Sequence, residues 1–322
     1  MSFSTTISEP QQSPRRFVFW GLGLAGAVVL ASALLDYGID PYGNFGNNRL
    51  GVFISAEREA KPVLLRRYPH DALLVGNSKM GLIPARQLEG FRFFNASFAG
   101  ATAEEEYYCV EHFATHQKLV VLEIDFLQSD PPANKGDLFA PPGLEANLQL
   151  LLSAKTLEYS FRTITEHLAG TPPSLEPDGT GDASGWFKLY DREDAAQEQY
   201  ELRALLNRYD KISPPFHLRY FARMARLLQE RGVPCAAFVP PLQQALVDHL
   251  KSSPNRPVFE LWRNQVREIF PDLVDLSMGP YGDKSHFFKI DPLQFKPEMG
   301  VRALNEKVIR PWLKGQFKHG SP

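Results

Sequence analysis

Apolar residues fall into three kinds of run along this chain. The first is one long uncharged stretch, Phe17 to Leu35, FVFWGLGLAGAVVLASALL. At ~1.5 Å per residue it reaches roughly 28 Å, enough to cross a bilayer core. The second kind is short and bounded by turn residues, at 71–77, 91–96, 118–126, 233–239 and 272–276. These read as strands. The third kind is amphipathic at helical spacing, at 102–116, 216–231, 256–269 and 298–314. Strands alternating with helices predict an α/β domain with a doubly wound, mainly parallel sheet and flavodoxin-like layering. The near-continuous apolar run Leu119–Ile124 fits a parallel strand covered on both faces.

The same patterning divides the chain. Residues 1–16 form a polar cytoplasmic tail and 17–35 a transmembrane anchor. Residues 36–70 form a lead-in, extended through DPYGNFGNN, and 71–126 with 216–314 form the α/β domain. Residues 127–215 are an insertion on that domain, opening at Ser129-Asp130-Pro131-Pro132. It is helical around 144–168 and carries TPPSLEPDGTGDASG before Trp186. Arg15 and Arg16 precede the apolar run, Asp36 and Asp40 follow it, and the next basic residue is Arg49. The positive-inside rule then places 36–322 outside the cytoplasm, as a periplasmic domain on a single-pass inner-membrane anchor. Ala31-Ser32-Ala33 also fits a signal-peptide cleavage site, but the apolar run is long for one. Gly23, Ala27 and Ala31 form a small-residue face, suited to a second membrane helix or simply typical of such spans.

Composition narrows the chemistry. Of 322 residues, 43% are hydrophobic and 22% charged, ample for a sizeable core. Net charge is −2, so nothing favours nucleic acid as a partner. The two cysteines, Cys109 and Cys235, are read as buried free thiols. No metal-ligand spacing, phosphate-binding glycine loop or dinucleotide fingerprint is present, so no metal or cofactor is expected. Glu104-Glu105-Glu106 would serve the positive end of the helix at 102–116.

The most informative short stretch is Gly76-Asn77-Ser78, directly after the first strand. A serine there can present its hydroxyl and a free backbone N–H, as a nucleophile and an oxyanion donor require. The plain alternative is a strand-ending turn. Downstream lie Asn95-Ala96-Ser97-Phe98-Ala99-Gly100, then Val120 to Phe126, then Gly282-Asp283-Lys284-Ser285-His286-Phe287 and Asp291-Pro292-Leu293-Gln294-Phe295-Lys296-Pro297. In this order the segments resemble the SGNH (GDSL-like) hydrolase superfamily. They look most like its membrane-anchored bacterial branch, related to alginate O-acetyltransferase-type proteins of polysaccharide acetylation. The resemblance covers roughly 36–126 and 216–314.

It implies Ser78 as nucleophile, with its own N–H, the N–H of Gly100 and Asn95 as oxyanion groups. The family's third-block asparagine is absent: Asp125-Phe126 stand there, and Asp125 is read as a structural acceptor. The family's Asp-x-x-His base occurs twice in part. Asp283-Lys-Ser-His286 has the residues, whereas Asp291-Pro-Leu-Gln294 has the register, with Phe295, Pro297 and Gly300 following as in the family. A glutamine cannot deprotonate serine at pH 7. Either His286 with Asp283 serves from a displaced position, giving an esterase or O-acyltransferase for acetyl groups of an envelope polysaccharide, or the site is silent and the chain is a binding or scaffold subunit. Its expected partners are the membrane and an acetylated glycan or acetyl-donor protein. A reporter enzyme fused after Pro322 is expected to be active only when it functions outside the cytoplasm; cytoplasmic activity would overturn both compartment and substrate class.

Overall fold

The computed structural model describes residues 14–53, 57–129, 136–141 and 143–315. Most of the expected tail, 1–13, and Asp130-Pro131-Pro132 lie outside the described residues. The elements in order are α1 (Pro14–Ile39), α2 (Glu57–Arg67), β1 (Ala72–Val75), α3 (Ser78–Gly81), β2 (Phe93–Asn95), α4 (Ala103–Phe113) and β3 (Leu119–Glu123). The insertion supplies α5 (Leu144–Leu151), α6 (Ala154–Leu168), α7 (Ala183–Tyr190) and α8 (Ala195–Lys211). There follow α9 (Arg219–Glu230), β4 (Cys235–Val239), α10 (Gln244–Ser252), α11 (Arg256–Ile269), β5 (Val274–Asp275), α12 (Pro297–Leu304) and α13 (Arg310–Leu313).

All five strands are parallel, in the order β2-β1-β3-β4-β5. This is the doubly wound arrangement that the strand-helix alternation predicts. Leu73 pairs with Phe94 on one side and Val120 on the other, and Val75 pairs with Leu122. Successive side chains therefore alternate between two cores. Leu73, Val75, Val120 and Leu122 join Val110, Phe221, Met224 and Trp262 from α4, α9 and α11. Ala72, Leu74, Leu119 and Val121 join Met299, Leu304, Val308 and Ile309 at the C-terminal end. Both faces are covered, which is why these strands are apolar at nearly every position. The chain leaves β1 for β2 and then crosses back to β3. The switch point, where open α/β sheets bind ligands, thus lies between the C-terminal ends of β1 and β3.

Three regions differ from the sequence reading. The lead-in is not extended throughout, because α2 forms within it and buries Ala60, Val63, Leu64 and Leu65. Lys61 is also buried on this helix and donates to the Ser97 carbonyl. Pro62 inside α2 and the Gly/Asn run upstream mask its periodicity. The three acids of α4 do more than face a helix dipole. Glu105 completes a capping box with Thr102 and pairs with Arg58. Glu104 accepts from Tyr220, and Glu106 is buried and accepts from Gln128.

The glycine-rich part of the insertion also has a structural task. Leu175 and Gly181 bridge, and the turn between them docks on the edge strand β2. Asn95 N donates to Asp178 O (2.8 Å), Gly181 N to Gly81 O (2.9 Å), and Ala85 N to Thr180 Oγ1 (3.0 Å). The turn satisfies an edge that would otherwise be open to pairing with another chain. Gly179 makes this approach possible: its φ is +80°, and a Cβ would stand 2.3 Å from Asn95 O and 2.8 Å from the Phe94 ring. Gly179→Ala is expected to lower stability by about 2–4 kcal/mol, read as a lower thermal midpoint; an unchanged midpoint would show that the turn is dispensable to the fold.

Candidate functional site

Ser78 opens α3 at the C-terminal end of β1, half-buried, on the same sheet edge as Gly100. The residues around it are stitched together below the surface. Asn77 caps α3 by accepting from Lys79 N (3.0 Å). Its backbone N–H donates to Glu123 Oε2 (2.9 Å), and its side-chain amide donates to Asp125 Oδ2 (2.8 Å). Lys79 points inward, fully buried, with Nζ 3.0 Å from Asp125 Oδ1. That contact is an ion pair rather than an aligned hydrogen bond, since among the described residues Lys79 Nζ has no hydrogen-bond partner. Gly76 must be glycine here, because a Cβ would lie 2.4 Å from Glu123 Oε2. Asp125 also accepts from Leu127 N (3.2 Å), the structural role expected of it.

The electrostatics follow from burial. Among the described residues, the carboxyl groups of Glu106, Glu123 and Asp125 are gathered in this interior, and the Lys79 ammonium group lies against Asp125. Burial holds the Glu106 carboxyl well above its ordinary range. Burial also pushes Glu123 up, to about 8, against the opposing pull of Lys79. Glu123 is therefore mostly a neutral acid near pH 7, and burial drives Glu106 in the same direction. Breaking one member of a buried pair leaves the other uncompensated, at a cost of roughly 3–5 kcal/mol.

The residues proposed as base are distributed differently from the displaced-histidine expectation. Gln294 is buried and its Nε2 donates to Ser78 O (2.6 Å). A bridge between Phe287 and Phe295 folds the loop back to put it there. Pro297 starts α12, and Gly300 brings that helix onto Ile83, where a Cβ would meet the isoleucine at 2.7 Å. Asp291 Oδ1 accepts from Leu293 N (3.2 Å), and burial raises its carboxyl above the usual range. His286 sits elsewhere: its Nδ1 is 3.1 Å from Tyr281 O, and its Nε2 is 3.5 Å from Arg302. Asp283 does not orient the imidazole. It caps a short turn by accepting from Ser285 N (2.8 Å) and Ser285 Oγ (2.5 Å), contacts that hold its carboxyl below the ordinary range. Among the described residues nothing hydrogen-bonds the Ser78 hydroxyl. The histidine–carboxylate pairs His112–Asp137 and His249–Asp210 do not involve it either.

Asn95 is likewise committed to structure. Its amide donates to Met80 O (2.8 Å) and Ile83 O (3.0 Å), and its Oδ1 accepts from Ser97 N (3.0 Å). It ties down the turn after Ser78 and is not free to donate to an oxyanion. Gly100 is exposed with φ +64°, a conformation suited to glycine, and its carbonyl accepts from Arg58 (2.8 Å). The sequence reading missed Lys79 and Glu123. The signal for Glu123 was an acid inside an otherwise apolar strand, a position that needs a partner.

A cleft of about 320 Å³ opens beside the Gln294 loop, between α7, α8 and residues 290–293. Tyr190, Glu201, Arg208 and Asp291 line it together with apolar groups. A larger hollow of about 700 Å³ lies near Pro234 and Phe270, at the opposite end of the sheet from Ser78. Comparison of the chain with protein-family models and with curated proteins finds no match.

The Glu123 carboxyl gives a testable pH dependence. Its ordinary value is 4.5 and burial raises it to about 8. Between those limits the folded chain holds a proton that the unfolded chain has released, so stability falls as pH rises from about 4.5 to about 8. Glu106 adds to the same trend. Glu123→Gln retains an acceptor for Asn77 N and removes this part of the slope. Thermal melts of the detergent-solubilised chain at acidic and mildly alkaline pH should show the wild type losing a few kcal/mol more than the variant, to order of magnitude. Equal losses would contradict the neutral-acid assignment.

Proposed function

We propose that this chain is a membrane-anchored SGNH-like module whose Ser78 site does not hydrolyse esters. In this reading it is a binding or scaffold subunit of an assembly that handles acetyl groups on an envelope or extracellular polysaccharide. The observation that carries the reading is the 2.6 Å bond from Gln294 Nε2 to Ser78 O. The base register is occupied by an amide that cannot accept a proton at neutral pH, and it grips the backbone of the would-be nucleophile. His286, the only base the displaced reading offers, is engaged by the Tyr281 carbonyl. The acetyl and polysaccharide classes rest on the family resemblance.

Two further features support the reading. One helix, Arg15–Ile39, is long and apolar enough to cross a membrane. Its last turns take part in the packing of the domain, since Asp36 is buried and accepts from Ser160 Oγ (2.7 Å). That favours a retained anchor over a cleaved leader. The charge distribution about α1 supports a periplasmic domain. The cleft with Tyr190 and Arg208 offers an aromatic ring and a cation next to residues 290–293 of the Gln294 loop, groups that suit a sugar chain.

The purified full chain is expected to show no Ser78-dependent hydrolysis of p-nitrophenyl acetate, so Ser78→Ala leaves the slow background rate unchanged. Hydrolysis that disappears in Ser78→Ala would restore the esterase reading. Gln294→His returns a base to the register, and a Ser78-dependent gain on the order of 10²-fold is expected. Gel electrophoresis through an acetylated bacterial exopolysaccharide should retard the wild type, and Arg208→Ala should run closer to its free mobility. No retardation of the wild type by acetylated polysaccharides would count against a glycan-binding role.

A further inference from the structure

Helix α6 presents three distinct faces. At 3.6 residues per turn, Thr156, Ser160 and Thr163 share one side, and all three are buried. Lys155, Arg162 and Glu166 share a second; Lys155 reaches Glu59 (3.6 Å), and Arg162 pairs with Glu166 (2.6 Å). Leu157, Phe161, Ile164 and Leu168 form a third, roughly 120° from each of the others. A water-soluble domain would bury that third face. Here Phe161 is 55% and Leu168 79% exposed. Helix α5 continues the apolar surface with Leu144 (78%) and Leu148 (49%), and Leu152 at its end is 60% exposed.

The position of this surface identifies what covers it. Both α5 and α6 pack against α1. Lys155 meets Glu59, the Tyr159 ring meets Tyr42 (5.7 Å), and Ser160 meets Asp36 (2.7 Å). Partner numbers fall as α6 advances, so α6 runs antiparallel to α1, back toward the apolar span. The covered positions on α1 agree. Ser32, Ala33, Leu35, Asp36 and Ile39 are partly or fully buried, whereas 17–30 are exposed. From Ser160 to Leu168, α6 extends roughly 12 Å beyond the level of Asp36, against a hydrocarbon leaflet of about 15 Å.

We infer that the α5–α6 hairpin is a lipid-contacting foot. Its Leu/Phe face lies in the outer boundary of the bilayer that α1 crosses, and its Thr/Ser face packs on the anchor. The inference rests on the anchor reading of α1. Small hydroxyl residues let the two helices approach closely, as between helices in lipid. The Leu/Phe stripe lies on a different side of α6 from the Thr/Ser face that meets the anchor, at a level where lipid would surround the anchor. The Arg162–Glu166 pair keeps charge off that stripe. The foot would hold the α/β domain in one fixed orientation to the membrane, as a single flexible tether could not.

The test uses the full chain in phosphatidylcholine vesicles. Leu24→Cys, Leu148→Cys, Leu168→Cys and Leu189→Cys, each in a Cys235→Ser background, carry an environment-sensitive fluorophore. Leu24 is in the anchor, and Leu189 is 58% exposed on α7, outside the foot. Labels at Leu148→Cys and Leu168→Cys should be quenched by brominated lipid, like Leu24→Cys. Iodide should reach them at least roughly threefold less than Leu189→Cys. If Leu24→Cys responds to lipid but the foot labels behave like Leu189→Cys, the foot is wrong and the anchor stands. Foot labels shielded from both quenchers would mean a protein covers them, which also overturns the proposal. If Leu24→Cys itself is open to iodide, the anchor reading fails and the foot with it.

Discussion

The buried Lys79–Asp125 ion pair, with Asn77 bonded to the same carboxylate, organises the end of the sheet. It joins the residues just beyond β1 to those just beyond β3, across the switch point of the doubly wound fold. Its geometry accounts for several residues at once. Gly76 must lack a side chain because Glu123 lies against it, and Asn77 must present an amide to both α3 and Asp125. Glu123 is pushed up to about 8 by its burial, with the neighbouring Asp125 carboxylate adding to the shift and Lys79 opposing it. A strand-ending turn with this much internal bonding is rigid, and its polar groups face protein rather than a substrate.

That rigidity bears on chemistry. A serine nucleophile needs a base whose proton affinity changes during reaction, held within reach of its hydroxyl. Around Ser78 the side chains are instead amides and carboxyl groups with fixed partners. Gln294 holds the Ser78 carbonyl, Asn95 holds the turn after it, and the insertion closes over β2 through Asp178 and Thr180. Each of these contacts holds the backbone around Ser78 and the edge of the sheet in place. The cleft lies to one side, against α7 and α8 of the insertion. Binding would therefore use residues outside the segments that carry the family resemblance.

The insertion also links the two ends of the molecule. One part of it, α5 and α6, packs on α1; another, 174–182, docks on the edge of the sheet; a third, α7 and α8, walls the cleft. A long break in the strand-helix rhythm thus works as a brace between α1 and the α/β domain.

The sequence by itself determined the class of fold. Five apolar runs bounded by turn residues became five parallel strands, because a strand buried on both faces must be apolar throughout. It also marked α1, since a long uncharged run has few other uses, and it placed Ser78 at a strand end. What it left open needed three dimensions. Whether His286 or Gln294 stands at Ser78 depends on the path of a loop, and the Phe287–Phe295 bridge decided it for Gln294. The task of Lys79 was hidden because a lysine in a turn reads as solvated; only the carboxylate of Asp125, arriving from β3, makes its burial tolerable. Glu104 to Glu106 looked like helix-end acids until α2, α9 and the segment after β3 brought Arg58, Tyr220 and Gln128 to them. Local pattern fixes which residues avoid water; which polar groups find each other inside is settled only when distant segments meet.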